Sequence, residues 1–200
     1  MSDDKKKFLR REAAKRMFAP EFRATTVTRK FDEHDEKAPT FAITPTGECA
    51  SRVFVVGVMT TKDKREGAAG IYYTARVNDT TGDYHLSIGQ YQPEALHQIA
   101  QINAPEFVAV IGKPNVYKTE DGNILTSIRV EEIVTVDKAT RDMWVLDTAR
   151  ATLDRIKRME TDDGEWVAEV KNLYSNPAMR PYHDAVMKAI DNTVAVQTLI

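Results

Sequence analysis

Residues 52–137 contain five runs rich in β-branched and aromatic residues, and a short helical pattern separates the third run from the fourth. The five runs are RVFVVGVMTTK, IYYTARVND, DYHLSIGQ, EFVAVIGKPNVYK and ILTSIRVEEIVTVD. The helical pattern is PEALHQIAQI, which begins at Pro93. Five strands with this single helical insert predict a small closed β-barrel, a scaffold that usually binds a ligand rather than catalysing a reaction.

The order strand–strand–strand–helix–strand–strand is that of the OB-fold, whose open face and rim loops bind single-stranded nucleic acid or oligosaccharide. We therefore predict a mainly β fold with flanking helices. The barrel spans residues 52–137 and follows a basic leader helix and extended segment over residues 1–51. A long helix over residues 138–160 and a short helical tail over residues 161–200 complete the chain.

Alternation within the second and third runs separates an inner from an outer set of side chains, because successive side chains of a strand point to opposite faces. The inner set, expected in the core, is Ile71, Tyr73, Ala75, Val77, Tyr84, Leu86 and Ile88. The outer set is Tyr72, Thr74, Arg76, Asn78, His85 and Ser87. One outer face therefore carries two flat rings beside a guanidinium.

Flat rings stack on unpaired bases, and each stacked base is worth about 1–3 kcal/mol. Cross-strand pairing of Tyr72 with His85 explains the same pattern without any ligand. Tyr91 fits either a stacking platform or a plug in the core, and the register leaves the facing of strand-four and strand-five residues open. The predicted DNA-binding set is Tyr72, Arg76, His85, Tyr91, Lys113, Tyr117, Lys118 and Arg129.

The leader KKKFLRREAAKRMF is basic and predicts either a solvated helix or an arm that contacts phosphate. The next segment, EKAPTFAITPTGE, contains two prolines and a glycine and predicts a loop or edge strand. After the long helix, EWVAEVKNLY and RPYHDAVMKAIDNTV predict two short helices, which either pack back on that helix or form a small separate module.

The long helix, KATRDMWVLDTARATLDRIKRME, has apolar residues at steps of three or four. About 20 residues make a helix of roughly 30 Å, more than a small barrel can cover. We therefore predict that part of the stripe contacts a partner subunit; the alternative is a helix that lies wholly on its own domain. The predicted interface residues are Val145, Leu146, Ala149, Leu153, Ile156 and Met159.

Charge and composition argue against several classes of function. The 28 basic and 30 acidic side chains nearly balance, so no general attraction to polyanions follows. A single cysteine, Cys49, excludes an intrachain disulfide and a cysteine-rich zinc site. No apolar run follows the basic start, so we expect no membrane contact and a soluble, cytoplasmic, nucleoid-associated protein.

No catalytic pattern competes with a binding function. The four histidines lack metal-ligand spacing, and neither a phosphate-binding loop nor a nucleophile elbow occurs. Glu131 and Glu132 are adjacent in a predicted strand, so their carboxylates face opposite sides and cannot act as a pair. We expect neither enzymatic activity nor a cofactor or metal.

The run YYTARVNDTTGDYHLSIGQYQPEALHQIAQI, with RVFVVGVM before it and FVAVIGKPNVYKTEDGN after it, resembles the archaeal replication protein A family. The likeness is to its small OB-fold subunits or associated proteins, and it extends from REAAKRMFAPEF through the long helix. It rests on the strand pattern, the RVND-TTG turn and the GQYQPEA junction. It implies binding of single-stranded DNA, or support of a larger subunit that binds it, in replication, repair and recombination.

The resemblance also implies assembly, because in replication protein A the helix after each core OB domain joins partner helices in a bundle. The stripe from Val145 to Met159 would have that role here. Two departures limit the likeness. The tail from Gly164 to Ile200 is too short for a winged-helix domain with its linker, and one cysteine cannot form a zinc ribbon.

Two other functions fit the same barrel. The first is a scaffold whose barrel binds only protein, which the balanced charge favours. The second is an OB module that binds tRNA or oligosaccharide.

Overall fold

The structure, a computed structural model, describes residues 12–32, 34, 38–67 and 70–197. Its strands are β1 (Val27–Lys30), β2 (Thr40–Ile43), β3 (Cys49–Ala50), β4 (Val53–Gly67), β5 (Gly70–Asn78), β6 (Asp83–Ile88), β7 (Glu106–Lys118) and β8 (Ile124–Thr135). Its helices are α1 (Ala19–Arg23), α2 (Pro93–Gln101), α3 (Lys138–Thr161), α4 (Glu165–Leu173) and α5 (Arg180–Gln197). None of the helices in these described ranges is long and apolar enough to cross a bilayer.

The five predicted strands close into a barrel in the order β4–β5–β6–β8–β7. All pairs are antiparallel except β6 with β8. The helix α2 connects β6 to β7, so the predicted chain order and the OB-fold are confirmed.

Alternation also predicted the barrel core. The inner residues Tyr73, Ala75, Val77, Tyr84, Leu86 and Ile88 are all buried. Ile71 is the exception, since its side chain is 40 % exposed. The prediction for Ile71 is wrong because β4 and β5 continue as a two-stranded hairpin, and Ile71 lies near its tip.

Two irregularities bend the strands into a closed barrel. The registers shift between Met59 and Thr61 on β4 and between Ile111 and Gly112 on β7, as at a β-bulge. At Gly112 a Cβ atom would lie 2.5 Å from the carbonyl oxygen of Arg129. Only glycine permits this approach of β7 to β8.

The leader does not form the predicted helix over the part that the structure describes. Residues 12–18 are extended, and the amide of Lys15 donates to the carbonyl of Arg52 at 2.9 Å. Met17 and Phe18 are buried, and the short helix α1 follows. Burial of these side chains against the barrel outweighs helix propensity. The basic residues of the leader before Glu12 lie outside the described residues.

The segment after α1 forms a small separate sheet in the order β1–β2–β3. The strand predicted within EKAPTFAITPTGE is confirmed as β2, whereas β1 was not predicted. Tyr174, just after α4, donates its hydroxyl to the carbonyl of Ile43 on β2. The C-terminal helices thus pack back on this sheet and on α3, which was one of the two predicted arrangements.

The long helix is confirmed as α3, which begins after Asp137; the carboxylate of Asp137 accepts from the amide of Thr140 at 2.8 Å. The interface prediction is wrong for Val145, Ala149, Ile156 and Met159, which are buried within the chain. Val145 and Ala149 pack in the barrel core cluster with residues of α5, and Ile156 and Met159 pack with residues of β2, α4 and α5. The predicted stripe is wider than the row of side chains that α3 exposes, because the rest of the chain covers most of it.

A buried ion pair joins α3 to α1. The guanidinium of Arg155 donates to Glu21 at 2.8 Å, and both side chains are almost completely inaccessible. Arg155 also donates to Thr46 at 3.2 Å and to Thr152 at 3.0 Å. These bonds satisfy the charge, without which its burial would be strongly unfavourable.

Candidate nucleic-acid interface

The outward sides of four neighbouring strands form one continuous surface, which we call the open face. The registers align Arg76 with His85 and place Arg129 between Ser87 and Lys113. The open face consists of Thr74, Arg76, His85, Ser87, Lys113, Asn115, Tyr117, Leu125, Ser127 and Arg129. Neighbouring strands lie about 4.8 Å apart, so the four strands span about 14 Å.

Three fully cationic side chains on the open face lie on three different strands. Arg76, Lys113 and Arg129 are all exposed. Among the described residues, neither Arg76 nor Arg129 has a carboxylate within salt-bridge distance, and Lys113 is 3.8 Å from Glu131. Guanidinium groups that no carboxylate occupies are free to bond phosphate.

Three tyrosines were predicted to stack on bases, and they lie in different places. Tyr117 is on the open face, 44 % exposed, with Leu125 as its cross-strand neighbour. Tyr72 points outward from β5 beyond the open face. Its ring lies over Gly67, where an added Cβ atom would be 3.4 Å from the ring. Tyr91 is 83 % exposed in the turn before α2, so the alternative of a core plug is wrong.

Two hairpins project at opposite ends of the open face. Lys118 is exposed at the end of β7, next to the turn of the β7–β8 hairpin, where the amide of Thr119 donates to the carbonyl of Asn123 at 2.8 Å. The β4–β5 hairpin exposes Lys64 and Arg65, two basic residues that the site prediction did not include. The run KDKREG marked a charged segment in the sequence, but only the length of the hairpin shows that it extends beyond the barrel.

Residues 52–137 contain 8 basic and 11 acidic side chains. This acidic excess does not describe the open face, because two of the carboxylates are held by structural partners. Asp79 accepts from the amide of Ala19 at 2.9 Å and from the hydroxyl of Tyr84 at 2.6 Å. Glu131 accepts from Arg52 at 2.6 Å and 3.0 Å. Net charge therefore misrepresents the local charge of this surface.

The positive charges of two guanidinium groups act on His85. Partial burial lowers the pKa of His85, and the positive charges of Arg76 and Arg23 lower that pKa further, while Asp83 acts in the opposite direction. The imidazole is therefore predominantly neutral at pH 7, and Arg76 and Arg23 provide the positive charge there.

Beside His85, the open face leads into a depression of about 400 Å³ that we call the α1 groove. It is lined by Pro20, Arg23, Ala24, Thr81, Gly82, His85, Ile124, Leu125 and Thr126. Arg23 is exposed, and the site prediction did not include it. Nothing in the sequence near Arg23 indicates this position, since β6 and β8 are separated from α1 by more than 50 residues.

The helix α3 exposes a narrower row of side chains than the predicted stripe. Leu146 is 53 % and Leu153 is 39 % exposed, and Met143 is also exposed. With Ala139 and Arg150 these residues form one row, in which each residue follows the previous one by four or three positions. This is the spacing of a helix–helix contact. We call these five residues the α3 seam.

Within the ranges that the structure describes, no three histidine, cysteine, aspartate or glutamate side chains are close enough together to hold a metal ion. Cys49 is half-buried, and burial, together with the nearby Glu12 and Glu48, raises the pKa of its thiol to about 11. A thiol with such a pKa is not a reactive nucleophile.

Comparison with known proteins relates the chain to others by structure. No family model matches the sequence, and no curated protein matches it. A chain of the Stn1–Ten1 complex of S. pombe superposes with a TM-score of 0.54 over 78 % of this chain and 96 % of that chain, at 14 % identity. A chain from the yeast Stn1 and Ten1 structure gives a TM-score of 0.46 over 64 % of each chain, at 10 % identity.

A chain of a replication protein A heterotrimer bound to single-stranded DNA gives a TM-score of 0.42 over 66 % of this chain and 96 % of that chain, at 16 % identity. At such identities, similarity shows the fold alone. The similarity to the S. pombe chain agrees with the OB-fold that the barrel topology shows.

Proposed function

We propose that this chain is a non-enzymatic subunit of a replication protein A-like complex that binds single-stranded DNA through the open face and acts in replication, repair and recombination. The observation that carries the proposal is the open face itself. It aligns Arg76, Arg129 and Lys113 on three strands and adds Tyr117 beside them. Cations for phosphates and a ring for bases are what a single strand requires.

Fluorescence anisotropy with oligo-dT at low salt tests the proposal on the isolated chain. The double variant Lys113→Gln/Arg129→Gln should weaken binding by at least about tenfold, because it removes two phosphate contacts. The matched control, Lys157→Gln/Arg158→Gln, removes the same charges from the exposed side of α3 and should bind like the wild type. Equal affinities for both double variants would exclude the open face.

Competition identifies the ligand class. Structured RNA and oligosaccharide, added as competitors, should displace labelled oligo-dT from the chain poorly. If the wild-type chain binds no oligonucleotide at low salt although its assembled complex does, the chain is a scaffold and the partner binds the DNA.

The α3 seam supports assembly with a second subunit. It leaves Met143, Leu146 and Leu153 exposed in one row, which a partner helix would cover. The S. pombe chain of similar fold comes from a complex of two different proteins. Assembly through the α3 seam replaces the broader interface expected from the sequence.

Co-purification from the native source, followed by mass spectrometry, tests this assembly. A Leu146→Asp/Leu153→Asp variant should lose a partner that the wild type retains. The control Asp147→Asn/Asp154→Asn changes exposed residues of the same helix and should retain it. If both variants retain the same partners, the seam is not the interface.

A further inference from the structure

The α1 groove and the open face share two residues, so they form one continuous surface. His85 and Leu125 line the groove and also lie on the open face. Leu125 is the cross-strand neighbour of Tyr117. A strand that passes over Tyr117 and Leu125 therefore reaches the mouth of the groove.

The groove has both a cationic and an apolar side. Arg23 provides the charge of its cationic side, where the neutral imidazole of His85 also lies, and Arg76 stands next to His85 on the adjoining strand. Among the described residues, no carboxylate lies within salt-bridge distance of Arg23 or Arg76. Pro20, Ile124 and Leu125 form an apolar wall.

This combination matches one nucleotide better than a free anion. A phosphate needs the guanidinium groups but has no use for an apolar wall, whereas an unstacked base needs such a surface. A volume of about 400 Å³ is within the range of small-molecule sites. The groove could therefore hold a base and its phosphate together.

The position of α1 is held by contacts to the barrel. The amide of Ala19 donates to Asp79 at 2.9 Å, and the hydroxyl of Thr126 donates to the carbonyl of Thr25 at 2.6 Å. At Gly82 a Cβ atom would lie 3.1 Å from the Cβ of Ala19, so a side chain there would press against the helix. The groove is thus formed before any ligand arrives.

We propose that the α1 groove binds one nucleotide of a single strand whose other nucleotides lie on the open face, with its phosphate on Arg23 and Arg76 and its base on Ile124 and Leu125. The inference rests on the proposed function. It adds a binding position that the five barrel strands alone would not form, because α1 forms one wall of the groove.

Oligo-dT of graded length tests the proposal, since binding sites on one OB-fold span about 4–16 nucleotides. Arg23→Gln should leave the affinity of the shortest bound oligomers unchanged. For oligomers long enough to reach the groove, it should lower affinity by about tenfold. It should also reduce the salt dependence by about one phosphate contact.

Two further variants separate charge from shape. Arg23→Lys retains the positive charge and should keep the salt dependence of the wild type. Ile124→Glu places an exposed carboxylate on the apolar wall and should weaken only the longer oligomers. Arg158→Gln, on α3, is the matched control and should bind every length like the wild type.

The outcomes distinguish this inference from the proposed function. If the wild type binds no oligomer, the proposed function fails and this inference fails with it. If the wild type binds but Arg23→Gln has no effect, or weakens all lengths equally, only the groove is excluded. A loss confined to the longer oligomers supports it.

Discussion

The open face and α3 both carried a predicted binding surface, but the residues predicted on the open face are exposed, whereas four of the six predicted on α3 are buried. The open face is one side of a sheet whose other side fills the barrel, so the barrel core does not cover it. The apolar stripe of α3 is instead covered by α5, β2 and the first residues of the barrel, and the α3 seam is what remains. An apolar stripe on a helix thus does not show whether the same chain or another subunit covers it. Polar and cationic side chains opposite the buried face of a strand, in contrast, identify a solvent-exposed surface.

The largest expected effect is the loss of the buried ion pair that fixes the covered side of α3. Arg155→Ala leaves Glu21 buried without its cation and should lower the free energy of unfolding by about 3–5 kcal/mol. Urea denaturation measures this loss. Arg150→Ala, on the exposed seam, should change the free energy of unfolding by less than about 0.5 kcal/mol. Similar losses for the two variants would mean that the two sides of α3 do not differ.

Two apolar residues of α3, three positions apart, test the same difference between its buried and its exposed side. Ile156→Ala removes a buried side chain and should cost about 2–5 kcal/mol of unfolding free energy. Leu153→Ala shortens an exposed side chain and should cost less than about 1 kcal/mol in the isolated chain. Thermal unfolding of both variants in the absence of a partner checks this difference; a large loss for Leu153→Ala would contradict the assignment of the seam.

On the open face, Tyr117→Ala should weaken binding of oligo-dT by about 1–3 kcal/mol, the value of one stacked base. Tyr117→Phe retains the ring and should bind nearly as well as the wild type. Because Tyr117 is exposed, both variants should unfold at the wild-type urea concentration. Equal binding by the two variants would show that Tyr117 does not stack.

The smallest effect concerns pH. Partial burial, together with the positive charges of Arg76 and Arg23, holds the pKa of His85 down in the free protein, and a bound phosphate would raise that pKa. Binding therefore takes up a proton, and affinity should increase as the pH falls below about 6.5, by at most about tenfold per pH unit. His85→Gln should bind with an affinity that changes less over the same range. Affinity that falls with decreasing pH would contradict this sign.

In contrast to the affinity, the free energy of unfolding should decrease as the pH falls. Because the pKa of His85 is lower in the folded than in the unfolded state, the unfolded chain binds more protons. The contribution of His85 to stability is present above the unfolded pKa of about 6.5 and is lost as the pH falls through the folded pKa. The urea midpoint of the wild type should therefore fall relative to that of His85→Gln as the pH is lowered through this range, and the difference between the two midpoints should be constant above it.

The sequence predicted the strands and their sides well and the flanking segments less well. Tyr84, Leu86 and Ile88 were assigned to the core from alternation alone, and all are buried. The hairpin that exposes Ile71 was missed because alternation continues past the end of the barrel. The helix expected in the leader was wrong over residues 12–18, because Met17 and Phe18 are buried against the barrel instead.

Alternation along each strand determined which side chains lie inside the barrel and which lie outside, since the period of two is a local property of the backbone. The tertiary structure decided the closure of the barrel, the covered side of α3 and the α1 groove. Arg23 meets His85 and Leu125, and Arg155 meets Glu21, across 60 to more than 130 residues of chain. Such contacts depend on the packing of distant segments, which no local pattern of residues contains.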